Sequence, residues 1–135
     1  MTDTTATTNP NETSEDATTQ LIDSYFALWL EPDAAARDRR AREVFTPTGR
    51  HVDPLADAVG TDGLVAMITN VHAHYPGFHI ERTSGIDQHG DQIRFAWTLR
   101  AADGATVVDG LDVGELSADG RLARVTGFWG ELPVR

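Results

Sequence analysis

The stretch from Asp91 to Trp129 limits what this chain can fold into more than any other. In Gln92–Arg100, the residues Ile93, Phe95, Trp97 and Leu99 alternate with Arg94, Ala96, Thr98 and Arg100. A period of two puts a large apolar set on one face of a strand and a polar set on the other. Asp103-Gly104 and Asp119-Gly120 punctuate the run as hairpin turns, because glycine takes a positive φ without steric cost. Between them, Thr106–Leu116 reads as one long strand in which Gly110 and Gly114 share a face with Asp112. Glycine inside a strand marks a bend or a close approach. A carboxylate flanked by two missing side chains is therefore expected in a cavity wall, with room beside it. The stretch predicts three antiparallel strands forming a bent platform with something bound against it.

The 135 residues suffice for one domain with one core. A formal net charge of −10 opposes nucleic-acid binding, which needs clustered cations to neutralise phosphates. The absence of cysteine excludes disulfides, a thiolate nucleophile and zinc–cysteine sites. No stretch approaches the roughly 20 apolar residues of a membrane span, and the N-terminus lacks the basic and apolar regions of a signal peptide. A cytoplasmic protein is the expectation.

Met1–Asp16 is rich in Thr, Asn and acids and has no apolar periodicity, so a disordered tail is expected there. The domain then spans residues 17–133. Leu21, Ile22, Tyr25, Phe26 and Trp29 recur at helical spacing, predicting a helix from Ala17 to about Leu30. Pro32 ends it. Asp33 caps a second helix to about Val44, along which Asp33 with Arg37, Asp38 with Arg42 and Arg39 with Glu43 make i,i+4 pairs on a solvated face. Phe45–Gly49 reads as a break, Arg50–Asp53 as a short strand stopped by Pro54, and Leu55–Gly60 as a loop. A third helix, opened by Thr61 or Asp62 and carrying Leu64, Met67, Ile68 and Val71, closes near His74. A strand over Phe78–Thr83 and a turn at Gln88–Asp91 lead into the platform. Helices gathered on one side of an antiparallel sheet make an α+β domain.

No metal or phosphate motif is present. His72 and His74 are two apart and point to different sides of a helix. The dinucleotide glycine fingerprint is absent. What remains is a set of polar groups in apolar surroundings. Tyr25 lies on the buried face of the first helix, so its hydroxyl needs a partner or a cavity. His51 and Asp53 share a strand face. Asp112 sits mid-strand between glycines. Buried carboxylates are rare unless paired. A structural explanation is open for each: Asp53 caps the loop at Pro54, or Asp112 pairs with Arg94 or Arg124.

The element order, with Leu21-Ile22-Asp23-Ser24-Tyr25, Val52-Asp53-Pro54 and Gly60-Thr61-Asp62-Gly63, resembles the nuclear transport factor 2-like superfamily. Phe78 onward, with Trp97, Gly110-Leu111-Asp112 and Asp119-Gly120-Arg121, is similar to its SnoaL-like polyketide cyclase group. The resemblance implies a cone-shaped, curved antiparallel sheet wrapped around three N-terminal helices with one deep pocket, and a homodimer joined through the outer sheet face. Ketosteroid isomerase of the same superfamily uses a helix-one tyrosine, an aspartate before proline and a mid-strand aspartate. Tyr25, Asp53 and Asp112 fall on those positions, and this pattern of pKa tuning is a known worked case for that enzyme. His51 has no counterpart in that scheme, and Asp109 adds a carboxylate.

The implied function is cofactor-independent acid–base catalysis on a small, largely apolar carbonyl compound, through an enolate, of the isomerase or polyketide cyclase type. Asp53 would take the proton, and Tyr25 with an Asp112 kept neutral at pH 7 would hydrogen-bond the enolate oxygen. His51 would orient Asp53 or act as a second acid. Trp29, Met67, Phe95, Trp97 and Trp129 would wall the substrate. The alternative is a non-catalytic ligand-binding or dimeric interaction domain, since fold does not establish function. Val107, Leu111 and Val113 would form the apolar outer face.

Overall fold

The alternation in Gln92–Arg100 becomes the strand about which the sheet is assembled. The computed structural model describes residues 10–135, with side chains from residue 15 onward. Its elements are α1 (Pro10–Leu30), α2 (Ala34–Val44), β1 (Phe45–Val52), β2 (Asp57–Val59), α3 (Gly60–His74), β3 (His79–Arg82), β4 (Asp87–His89), β5 (Gln92–Arg100), β6 (Thr106–Leu116) and β7 (Leu122–Trp129). The sheet order is β2-β1-β7-β6-β5-β3, with β4 also paired to β5. β5, β6 and β7 form the expected antiparallel meander. Gly104 and Gly120 close its turns at φ of 90° and 83°.

Three expectations about the elements and their pairing change. The sheet is mixed rather than wholly antiparallel, because β1 runs parallel to β7. A pair so distant in sequence has no hairpin to fix its direction. β1 also starts at Phe45, where a break was expected. Phe45 is fully buried, and its ring lies over Gly49 so closely that a Cβ there would be 2.8 Å from Cε2. A bulge between Phe45 and Arg50 absorbs Pro47 and Gly49 without ending the strand. Finally, α1 begins at Pro10, a residue preorganised for the first helical position. Met1–Asn9 of the expected tail lie outside the described residues.

Packing explains the helices. α1 buries Ile22, Tyr25, Phe26, Leu28 and Trp29, and α3 buries Leu64 and Ile68, against Ile80, Ile93, Phe95 and Leu99 of the sheet. Asp33 caps α2 by accepting from the Ala36 N–H at 2.8 Å. Arg42 pairs with Asp38 as expected. Arg37 does not stay on a solvated face. It is buried, and its guanidinium donates to Thr69 Oγ1 at 2.8 Å and to the Pro32 carbonyl at 2.9 Å, tying α2 to α3. No helix among the described residues is long and apolar enough to cross a membrane.

Gly110 and Gly114 do not open space beside Asp112. The register sets Trp97 opposite Gly110 and Ile93 opposite Gly114. A Cβ at Gly110 would meet Trp97 Cζ2 at 2.1 Å, and one at Gly114 would meet Ile93 Cγ1 at 2.9 Å. The glycines are seats for large cross-strand side chains.

Candidate functional site

Helices α1 and α3 stand off the inner sheet face and leave a cavity of about 470 Å³. Its walls are apolar: Phe26 and Trp29 from α1, Met67 and Val71 from α3, and Ile80, Trp97, Leu99, Val108 and Trp129 from the sheet. Four of the expected wall residues, Trp29, Met67, Trp97 and Trp129, line it. Phe95 does not. It packs edge-on against Phe26 at 5.7 Å and belongs to the core. Asn70, His74, Tyr75 and Leu55, all exposed, also line the cavity, and none of them was expected at the site from the sequence. Val107, expected on the outer face, also lines the cavity, because a bulge opposite Leu99–Arg100 shifts it out of alternation.

Tyr25, His51, Asp53 and Asp112 all line the cavity, and all but Asp53 are buried below 6% exposure. Tyr25 comes from the buried stripe of α1, His51 from β1, Asp53 from the turn after it and Asp112 from mid-β6. Asp53 Oδ1 accepts from the backbone N–H groups of Leu55 and Ala56, both at 2.8 Å, so the loop-capping explanation holds. Its other oxygen, Oδ2, lies 3.1 Å from His51 Nε2. His51 Nδ1 lies 3.4 Å from the Tyr25 hydroxyl. With an ionised Asp53 as acceptor, Nε2 donates to it, and Nδ1 faces the Tyr25 hydroxyl. A chain of hydrogen bonds thus runs from Tyr25 through His51 to Asp53.

The two carboxyl groups are tuned in opposite directions. Burial alone would raise Asp53, but the His51 hydrogen bond and charge and the Leu55 and Ala56 N–H groups outweigh it, and its pKa is lowered. Burial pushes Asp112 up to about 6, against the opposing pull of Trp97 and His51 and with help from the Asp53 charge. That value falls short of the neutrality at pH 7 expected of Asp112. Burial likewise raises the Tyr25 phenol well above its ordinary value, with the charge of Asp112 adding to it, so the hydroxyl keeps its proton. The ion pairs foreseen for Asp112 do not form with Arg94, which is bound to Asp87 at 2.8 Å.

Gly127 had no mark in the sequence beyond being a glycine in a strand. It pairs with Asp112 across β6–β7, and a Cβ there would lie 3.0 Å from Asp112 Oδ1 and 3.3 Å from Asp53 Cβ. Any side chain at 127 would press on both aspartates. Among the described residues, no group of three or more His, Asp or Glu is placed to hold a metal ion.

Residues 22–125 match the family model of the SnoaL-like domain. Among solved structures, a candidate isomerase of the SnoaL-like family from Agrobacterium tumefaciens is 32% identical, with a TM-score of 0.81 over 86% of this chain and 99% of its own. A candidate SnoaL-like polyketide cyclase from Jannaschia sp. CCS1 is 18% identical, with a TM-score of 0.63 over 82% of this chain and 85% of its own. A nuclear transport factor 2-like protein of unknown function from Exiguobacterium sp. 255-15 is 22% identical, with a TM-score of 0.67 over 83% and 99%. Below 25% identity these likenesses concern the fold alone. No curated protein matches the sequence.

Proposed function

Because the chain belongs to the SnoaL-like domain family, we propose that it is an acid–base enzyme for a small, largely apolar carbonyl compound, working without a cofactor. The reaction would be an isomerisation or a cyclisation of the polyketide cyclase type, since both begin with an enolate. One observation carries the reading: a buried cluster of Tyr25, His51, Asp53 and Asp112 in an otherwise apolar cavity, with one carboxyl tuned to about 6. Proton transfer is most efficient when the catalytic group titrates near the working pH. Among the described residues no arginine lines the cavity, which favours a neutral ligand over an anion.

The geometry supports a division of roles that differs from the sequence expectation. Asp53 is held by three hydrogen bonds and acidified by them, so it is a weak base. Asp112, mostly ionised at pH 7 yet easily protonated, would take the proton α to the carbonyl and return it elsewhere on the skeleton. The Tyr25 phenol would donate to the enolate oxygen as charge develops there. Asp53 would hold His51, and His51 would hold Tyr25.

The test is α-proton exchange of 1-tetralone in D2O, followed by NMR. Exchange should be accelerated by the wild type and slowed at least about 100-fold in Asp112→Asn, with a smaller loss in Asp53→Asn. A larger loss in Asp53→Asn would restore Asp53 as the base. The lowered pKa of Asp53 favours a second reading, that of a ligand-binding domain. Wild-type protein that binds the ketone without accelerating exchange would establish it.

We also propose that two copies pair through the outer sheet face. Leu111 and Phe128 are register partners on β6 and β7 and are 38% and 58% exposed, with Ala96 beside Leu111. A self-complementary two-fold contact is the commonest way to cover such a surface.

A further inference from the structure

The cavity face of α3 changes character along the helix. Met67, Asn70, Val71 and His74 are spaced three and four residues apart, so they form one stripe, and all four line the cavity. Met67 and Val71 are half-buried and continue the apolar wall, whereas Asn70 and His74 are exposed and polar. The stripe that α3 buries in the core is a separate one, made of Thr61, Leu64 and Ile68. A wall for a wholly apolar ligand has no use for an amide and an imidazole. The His74 ring is also held in place, because its Nδ1 lies 2.9 Å from the Asn70 carbonyl one turn back. A carbonyl only accepts, so Nδ1 is the donor there, and in the neutral ring Nε2 is the acceptor. Among the described residues, neither Nε2 nor the Asn70 side-chain amide hydrogen-bonds to another protein group. Together they offer an acceptor and a donor, which is the complement of a hydroxyl.

This pair is distinct from the buried cluster. Tyr25, His51 and Asp112 are buried, and no hydrogen bond among the described residues joins them to Asn70 or His74. The cavity therefore has one buried and one exposed set of polar groups, with apolar walls and about 470 Å³ to fill. In pockets of this size a few placed polar groups fix the orientation of a ligand whose body contacts apolar walls. We propose that Asn70 and His74 hydrogen-bond a hydroxyl of the ligand, so that the cavity selects compounds that are polar at both ends, with a carbonyl oxygen at Tyr25 and a hydroxyl at the last turns of α3. Asn70 and His74 are then specificity-determining residues with no part in proton transfer. The inference rests on the carbonyl reading above and narrows its substrate class. Because both side chains are exposed, the ligand hydroxyl replaces water there. The gain is that of a net hydrogen bond, well below the discrimination of a fully buried polar site.

The probes are 1-tetralones carrying an alkoxy chain at C6, in matched pairs of increasing length whose chains end in a hydroxyl or in a methyl group. Wild-type protein should bind the hydroxyl member of the best-fitting pair about tenfold more tightly than its methyl counterpart. That preference should shrink to less than about threefold in Asn70→Leu and in His74→Phe, through weaker binding of the hydroxyl member. Absence of the preference at every chain length in wild type would overturn the proposal, as would a preference that survives both substitutions. A second measurement needs no variant. The Asn70 side-chain amide resonances should move with the hydroxyl-ended probe and stay in place with its methyl-ended twin. A response alike to both would overturn the inference even where a variant does not fold. Failure of every probe to bind, 1-tetralone included, would sink the carbonyl reading and this inference with it. Because both measurements read binding and not turnover, a failure of the acid–base reading in the exchange assay is separately visible.

Discussion

Asp112→Asn should make the protein more stable, and only above a definite pH. The Asp112 carboxyl is raised from 3.8 to about 6, chiefly by burial. Below pH 3.8 the acid is neutral in both folded and unfolded chains, and its burial costs little. Between there and about 6 the unfolded chain releases the proton while the folded chain keeps it, so stability falls as pH rises. Above about 6 both states are ionised, and the accumulated penalty is about 3 kcal/mol. Asparagine has the same shape and no charge, so it removes this penalty. In a chain of this size the gain is up to about 10 °C in melting temperature near pH 7.5. Asp53 acts at the other end of the scale. Its lowered pKa contributes stability that is present above 3.8 and lost as pH falls through its folded value, so a series from pH 4.5 to 8 isolates Asp112. The assay is thermal unfolding of both proteins across that series. The advantage of Asp112→Asn should grow from pH 4.5 to about 6.5 and then level off. An advantage that does not change with pH, or a variant less stable than wild type at pH 7.5, would refute the burial argument.

Leu111→Arg places a charge on the exposed apolar face of β6 and should convert a dimer to monomer in sedimentation velocity. Wild-type protein sedimenting as a monomer at micromolar concentration would dispose of the dimer itself. Arg37→Ala removes the hydrogen bonds that join α2 to Thr69 of α3 and to the Pro32 carbonyl, and should cost about 2–4 kcal/mol in urea unfolding. An unchanged urea midpoint would return Arg37 to the solvated face.

Much of the fold was legible because β5, β6 and β7 carry their instructions locally. Alternation and two Asp-Gly turns suffice for a meander, and the stripe Ile22, Tyr25, Phe26, Trp29 suffices for α1. Tyr25, His51, Asp53 and Asp112 could be singled out by one rule, that polar groups on apolar faces need partners. The features that were not legible depend on partners far away in the chain. β1 looked broken at Pro47 and Gly49 because the value of Phe45 beneath the sheet is invisible locally. Three-residue strands such as β2 and β4 have no period to detect. The i,i+4 rule assigned Arg37 to Asp33, and Thr69 won it through tertiary packing. Gly110 and Gly114 were read as gaps because the residues that fill them, Trp97 and Ile93, are set by register. Gly127 was missed for the same reason. Its role between two aspartates exists only once β7 lies beside both β1 and β6.

That placement of β7 has a consequence for how the molecule comes into being. β7 is hydrogen-bonded to β1 on one side and β6 on the other, joining segments about sixty residues apart in sequence. Until β1 docks on it, the strand before Asp53 and the strand carrying Asp112 belong to separate pieces of sheet. Long-range pairing of this kind forms late and slowly, since loop-closure entropy is spent before contacts return it. A nascent or refolding chain should therefore hold its helices and the β5–β6–β7 meander before β1 docks on β7 and completes the cavity. Under the proposed function, a ligand held in the cavity between Asp53 and Asp112 would recognise only the chain in which this docking has occurred. Binding should then draw the equilibrium toward the docked state, and the amide protons of β7 are where that selection would register most strongly in hydrogen exchange.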